Sequence, residues 1–304
     1  MNNIQTLTLI LWMQRYLRIN DVKILNFIRQ NKLFPVSAKD VLDNFGILDE
    51  KHKVNDEWSS AEKQIEKTIN SGIQPISFFD DIYPFYLKIT KNPPPILYLK
   101  GNLDILNDLP GVAIVGSRKA TEKGAEIARR IAHYMASMGW SVISGLALGI
   151  DAAAHLGTLQ ANGKTIAVLA HGLHVANPKK NEKLGFEILE KGGAWVSEHP
   201  VGVPPKREYF VPRNRIQVGL SAGSVIVESD IKSGSMTQAN FCLEQNRRLF
   251  AVVPENDTNK LGLLCDGTQM LVRDRGAIPL RTKEDYPTLL LKLKEKASEL
   301  KGGL

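Results

Sequence analysis

Long apolar runs are missing from this 304-residue chain. No stretch approaches the roughly 18 consecutive apolar residues of a membrane span. The run over residues 7–13 is short, follows no basic segment and meets Gln14-Arg15, so it reads as a first core helix rather than a leader. Cysteine is nearly missing too. Cys242 and Cys265 are too few for a disulfide framework and have no metal-cluster neighbours, which suits a reducing cytoplasm. Neither common phosphate fingerprint occurs: there is no G-x-G-x-x-G, and residues 116–121 do not spell G-x-x-x-x-G-K-[ST]. The glycine turn of a helix-hairpin-helix is also missing, because Arg18-Ile19-Asn20-Asp21 stands in its place. No internal repeat or low-complexity tract is present. Spanning segments, disulfide scaffolds and the commonest nucleotide loops are thereby set aside.

What remains is ordinary for a globular protein, with 43% hydrophobic and 23% charged residues. The length suits one large domain or two unequal ones. The net charge of +7 is unevenly placed. Residues 1–110 carry 13 basic and 13 acidic side chains, residues 111–280 carry 20 against 15, and the last 24 carry 6 against 4. The surplus sits in the middle of the chain, where a polyanionic partner would be met.

Apolar periodicity predicts helices over 4–18, 21–30, 38–45 and 57–70, a small all-helical module over residues 1–72. Residues 73–110 read as a bridge with short strands at 76–79 and 96–99, a stiff Pro93-Pro94-Pro95 connector and a short helix at 102–107. From Gly111 the pattern alternates. Strands are expected at 112–115, 140–143, 165–170, 194–197, 224–228 and 249–253, with helices at 122–138, 151–161, 180–191, 214–221 and 235–246. That spacing suits right-handed βαβ crossovers. It predicts an α/β fold with a doubly wound, mostly parallel sheet of six or more strands over residues 111–282. A last short strand near 276–278 and a lysine-rich helix over 283–304 follow. The ligand site of such a sheet lies at the carboxyl ends of its strands, where the strand order reverses.

Residues following each expected strand gather on that rim: Gly116, Ser117, Arg118 and Lys119, then Ser144, Gly145, Gly149 and Asp151, then His171 and Gly172, then Glu198, Glu228 and Ser233-Gly234-Ser235. Glycine turns leading into helix N-termini favour phosphate, and a hydroxyl with a guanidinium at a loop apex strengthens that reading. Asp151 is placed to N-cap the next helix or to touch a ligand. His155 reads as a buried, hydrogen-bonded residue. His171 and His174 have no acid or cysteine at ligand spacing, so no metal is expected. Glu228 ends a central strand without a nucleophile beside it and reads as the partner of an arginine.

Residues 204–215, PPKREYFVPRNR, read as an unstructured loop in which Lys206, Arg207, Arg213 and Arg215 meet one acid, with Tyr209 and Phe210 interleaved. Cations that follow a backbone and rings that stack on bases are what a single strand of nucleic acid uses.

Taken with DIYPFYLKITKNPPPILYLKG, VAIVGSR, SGLALGIDAAAH, SEHP, FVPRNRI, VIVES and SGSMTQANFCLEQNR, in that order over residues 73–280, the chain resembles the DNA-processing protein A family (DprA, also called Smf). The resemblance implies an extended Rossmann-like domain that binds single-stranded DNA in a basic pocket, with duplex bound more weakly. It also implies a homodimer, a RecA-type recombinase as partner, and a place in natural transformation, recombination or phage defence. It carries DNA contact onto Ser117, Arg118, Lys206, Phe210, Arg213 and Asn214. The rim and the basic segment add Gly116, Lys119, Ser144, Gly145, Arg207, Arg215, Ser233, Gly234 and Ser235. The sequence departs from the family at Ala170-His171-Gly172-Leu173, Asn177-Pro178, Pro254-Glu255 and Asp266-Gly267-Thr268. The family's C-terminal winged helix is expected to be absent.

The leading expectation is a cytoplasmic, non-enzymatic binder without cofactor or catalytic residue. A sensor or hydrolase of a nucleotide-derived ligand is the alternative, with Glu244 as its lone acid. A scaffold acting through the helical module is the third.

Overall fold

The computed structural model describes residues 3–31, 37–48, 53–107, 110–256 and 258–302. The expected helical module, bridge, core and terminal helix each include a few residues outside that set. The chain opens with α1 (Asn3–Arg15), α2 (Asp21–Gln30), α3 (Ala38–Phe45) and α4 (Val54–Asn70). Local signals set their ends. Asn20 caps α2 by accepting from Lys23 N–H, and Ser37 with Asp40 forms a reciprocal capping box on α3. Gly46 closes α3 in the left-handed conformation, with φ 62°.

Then come β1 (Gln74–Ser77), the short α5 (Phe85–Lys88) and β2 (Ile96–Gly101). The alternating part follows: β3 (Gly111–Val115), α6 (Glu122–Ser137), β4 (Val142–Ser144), α7 (Ile150–Gln160), β5 (Thr165–Val168), α8 (Glu182–Glu190), β6 (Ala194–Ser197) and α9 (Arg207–Gly219). It continues with β7 (Ser221–Ile226), α10 (Gly234–Glu244), β8 (Arg248–Val252), α11 (Asp266–Arg275), β9 (Ile278–Leu280) and α12 (Tyr286–Gly302).

All nine strands share one sheet in the order β1-β2-β6-β5-β4-β3-β7-β8-β9. The pairs from β6 through β9 are parallel, while β1–β2 and β2–β6 are antiparallel. The bridge strands thus extend the core sheet. The central strands β3 to β7 are buried along their whole length, because helices cover both faces, which is why β3 reads as an unbroken apolar run. On one face, Val112 and Ile114 of β3 pack with Ile131 and Met135 of α6 and Leu289 and Leu293 of α12. On the other, Val115 and Ile226 pack with Val218 of α9, Cys242 of α10 and Leu271 of α11. The N-terminal helices join this core directly. Leu7, Trp12, Ile24 and Ile65 lie in one apolar cluster with Tyr98 of β2, Ala167 of β5 and Trp195 of β6.

Three segment readings are corrected. Residues 207–219 form a helix, not a loop followed by a helix over 214–221, and β7 begins at Ser221, earlier than the expected 224. Helix α11 was not anticipated. The sheet order places the reversal between β3 and β7. From β3 the chain steps outward through β4, β5 and β6, and from β7 it steps the other way through β8 and β9.

Candidate nucleic-acid interface

At the reversal, the carboxyl ends of β3 and β7 part and leave a crevice. The loop after β3 enters it first. Gly116 has no room for a side chain, since a Cβ there would lie 2.7 Å from Ile150 and 2.8 Å from the Glu228 carbonyl oxygen. Ser117 N–H donates to that same carbonyl at 2.8 Å, and the Ser117 hydroxyl accepts from Lys119 N–H at 3.1 Å. These bonds hold the turn and leave the Arg118 and Lys119 side chains exposed at its tip.

Glu228 anchors the turn from behind. Its buried carboxylate accepts from Thr121 N–H (2.9 Å), the Thr121 hydroxyl (2.8 Å) and Leu264 N–H (3.0 Å). It sits at the N-terminus of α6, where the helix dipole favours a negative charge. The expected arginine partner is therefore corrected: three hydrogen-bond donors replace it. Gly124 in the first turn of α6 lies where any Cβ would collide with this carboxylate.

Helix α9 forms the facing wall. The Arg118 guanidinium lies over the Phe210 ring, 5.1 Å from its centroid, which joins the glycine loop to α9 by a cation–π contact. One turn further in, Arg213 is buried and donates to the Val168 carbonyl at 2.5 Å. Its guanidinium fills the space beside Gly145 that a side chain would need. With its amide oriented to suit its neighbours, Gln217 accepts from Arg213 at 2.6 Å and from Gly145 N–H at 3.0 Å, and donates to Gln238 at 3.0 Å. Asp151 accepts from Gly145 N–H (3.1 Å) and Ala147 N–H (3.4 Å). Burial raises its pKa, opposed first by the Arg213 charge. Burial likewise lowers Arg213 to about 10, with Asp151 pulling the other way, so the guanidinium stays charged at neutral pH. Asp151 is not the helix cap; Gly149 holds that position.

The third wall is the N-terminus of α10. The Ser229, Ser233 and Ser235 hydroxyls form a triangle with edges of 2.6, 2.8 and 2.5 Å. The enclosed pocket measures about 650 Å3. It is lined by Gly116, Ser117, Arg118, Lys119, Arg207, Phe210, Arg213, Asn214, Ser233, Gly234 and Ser235, eleven of the expected residues, together with Asp151, Gln217, Gln238, Asp230 and Leu264. No histidine or cysteine lines it. Of its serines, Ser233 and Ser235 bond to each other and to Ser229, the Ser117 hydroxyl accepts from Lys119 N–H, and Asp151 is held by backbone N–H groups. The pocket thus brings the cations of Arg118, Lys119 and Arg207 beside the ring of Phe210.

Four expected residues are not in the pocket. Ser144 and Gly145 lie behind it, the former donating to the Ile114 carbonyl at 2.7 Å. Lys206 stands outside over the Tyr209 ring (5.5 Å) and 3.9 Å from Glu208. Arg215 is a correction. It points away from the crevice, makes a two-pronged bond to Glu198 (3.0 and 2.7 Å) and lies 3.6 Å from Asp21 of α2. Sequence reading missed Gln217 and Gln238. A helical stripe through 207, 210, 214 and 217 would have found Gln217, and would have turned Arg215 about 200° from Arg213.

His155 is buried against the Thr165 hydroxyl at 2.7 Å, as expected. His171 bonds the Gly172 carbonyl and His174 accepts from Gly202 N–H. Among the described residues no group of three or more histidine, cysteine or acidic side chains is placed to hold a metal. No helix there is long and apolar enough to cross a membrane.

Comparison with known proteins gives a family and a fold. A family model described as DNA recombination-mediator protein A matches residues 74–290. The chain is 34% identical to Protein Smf of Synechocystis sp. over 280 residues, covering 81% of this chain and 70% of that one. It is 42% identical to Protein Smf of Escherichia coli over 172 residues, 57% of this chain and about half (46%) of that protein. Among solved structures, DNA processing protein A from Streptococcus pneumoniae superposes with a TM-score of 0.76 at 30% identity, covering 95% of this chain and 98% of the other. The Helicobacter pylori DNA processing protein A, described for its single-stranded DNA binding mode, gives 0.63 at 30% identity, covering 73% and 98%.

Proposed function

The chain belongs to the DNA recombination-mediator protein A family, and on that footing we propose that it binds single-stranded DNA across the crevice between β3 and β7 and passes it to a RecA-type recombinase. The observation that carries this reading is the Arg118–Phe210 pair, a cation stacked on a ring at the mouth of a pocket whose far wall is the N-terminus of α10. Exposed Arg118, Lys119 and Arg207 neutralise successive phosphates, Lys206 extends the track, and Phe210 with Val211 offers apolar surface to the bases. Arg213 acts from beneath as a buried, permanent charge.

The relative from Helicobacter pylori, described as binding single-stranded DNA, supports the same ligand here. Recombinase loading, a homodimer and a cytoplasmic site of action complete the proposal, in transformation, recombination or phage defence. Duplex binds more weakly, because paired bases are not free to stack.

Fluorescence anisotropy with labelled oligo-dT and a matched duplex, each at two salt concentrations, tests the reading. Salt-dependent single-strand binding that is lost in a folded Arg118→Glu variant supports it. Absence of binding by the wild type at low salt refutes it and leaves the crevice to be screened against nucleotides.

A further inference from the structure

A second cavity, of about 370 Å3, lies on the other side of the segment that closes the DNA crevice. It opens between α6, the ends of β8 and β9, and the start of α12. Its floor is apolar core: Ile131, Val252, Leu263 and Leu280 are each less than 5% exposed, and Tyr286 completes the lining. Its mouth is cationic. Lys260, Arg281 and Lys283 line it and are exposed, and among the described residues none has a carboxylate within ion-pair distance. Arg130, also at the mouth, is already bonded to Glu126 at 2.8 Å. The two acids there, Glu255 and Glu284, are outnumbered, and Glu284 is held by a hydrogen bond from Thr282.

Three cations with no ion pair among the described residues repel one another around an apolar floor and attract an anion, and an apolar floor gains from an apolar body. The volume lies within the range of about 300–1,000 Å3 found for small-molecule sites. We propose that this cavity binds a small amphipathic anion: a planar apolar body on the floor and a phosphate, carboxylate or sulfonate group at Lys260, Arg281 and Lys283. The site is separate from the DNA crevice. Leu263 faces this cavity while the next residue, Leu264, lines the crevice.

Anilinonaphthalene sulfonate, a planar apolar monoanion, is a direct probe, titrated by fluorescence into the full chain. The wild type should give one saturable site. An Arg281→Glu/Lys283→Glu variant, altered only at exposed side chains and checked by circular dichroism, should bind at least about tenfold more weakly, and the uncharged analogue phenylnaphthylamine should lose a similar factor against wild type. Arg118→Glu and excess oligo-dT should leave dye binding within about twofold. Unsaturable binding, equal affinity in the double variant, or equal affinity for the uncharged analogue would overturn the proposal. So would displacement by oligo-dT or loss in Arg118→Glu, because the dye would then occupy the DNA crevice.

Discussion

On the proposed reading Arg118 and Phe210, which touch each other, contribute to DNA affinity through different physics, and that difference can be measured. Four exposed cations flank the crevice: Arg118, Lys119, Lys206 and Arg207. If each neutralises one phosphate of a single strand, log K falls against log salt with a slope of about −2.8, from roughly −0.7 per contact. Affinity then drops about 50-fold between about 50 and about 200 mM salt. Replacing Arg118 by Gln removes one contact, so the slope should ease to about −2.1 and the drop to about 20-fold.

Phe210→Ala should behave otherwise. It removes a stacking surface worth about 1–3 kcal/mol, which lowers affinity by roughly 5- to 150-fold at every salt concentration. The slope should stay at about −2.8, because no charge has changed. Anisotropy titrations with oligo-dT at four or more salt concentrations give slope and intercept for each protein. An Arg118→Gln line parallel to wild type would mean that Arg118 meets no phosphate. A Phe210→Ala line of altered slope would mean that the ring only positions its cation. Either result refutes the division of labour described here.

The other expectations concern the frame that holds this surface. Arg215→Met strands Glu198 and Asp21, whose side chains are 16% and 30% exposed, beside an apolar side chain; it should lower unfolding free energy by about 2–3 kcal/mol in urea titrations, less than the about 3–5 kcal/mol of a fully buried pair because water reaches both acids. On the folded fraction its salt slope should match wild type, since Arg215 faces away from the crevice. His155 is fully buried and its pKa is lowered to about 3, by burial first and the Arg213 charge second. Its folded pKa lies below the unfolded value of about 6.5, so its contribution is complete above about pH 6.5 and is lost as pH falls towards 3. Between pH 7 and 5 this amounts to about 2 kcal/mol, which His155→Gln should remove from the wild-type pH difference; an unchanged difference would show that other groups carry it. Gly124→Ala is a test of sign. Helix propensity alone favours alanine by about 1 kcal/mol, whereas collision with the Glu228 carboxylate predicts a loss of about 1–3 kcal/mol. Thermal or urea unfolding decides between them.

Much of the architecture was legible because buried parallel strands leave a plain mark. Val112 to Val115 and Ile166 to Val168 are apolar without interruption because helices cover both faces, and Gly116 stops the first run where the chain turns. Eleven of the expected contact residues share one pocket for the same reason: loops at the carboxyl ends of neighbouring parallel strands have nowhere else to go. Helix α9 was illegible. Pro204, Pro205 and Pro212 in a span dense with charge have the composition of a loop, and only the fold shows that Pro212 is tolerated within the helix. That one misreading merged Arg213 with Arg215, which the helix sends to opposite sides, one beneath the crevice and one to the N-terminal helices. The placement of β1 and β2 was hidden as well, since nothing local in 74–77 or 96–101 states that β2 pairs with β6, about a hundred residues later.

Glu228 and Gly124 show the limit most sharply. A glycine in the first turn of an amphipathic helix looks like a weakness, and a carboxylate ending a central strand looks like an acid seeking a base. They occupy the same space. The carboxylate needs the volume a Cβ would fill, and the helix start with Leu264 supplies donors that an arginine would otherwise have to supply. Because Leu264 N–H and Thr121 N–H bond the same side chain, the loop after β8 and the loop after β3 are fixed relative to each other at the crevice. Each residue is reasonable only in the presence of the other, and their separation of about a hundred positions conceals this until the sheet brings them together. The rigidity of the glycine loop after β3 therefore rests on a contact that no local pattern announces. The Gly124→Ala variant should reveal it twice, as lost stability and as weakened oligo-dT binding by a chain whose Arg118 is untouched.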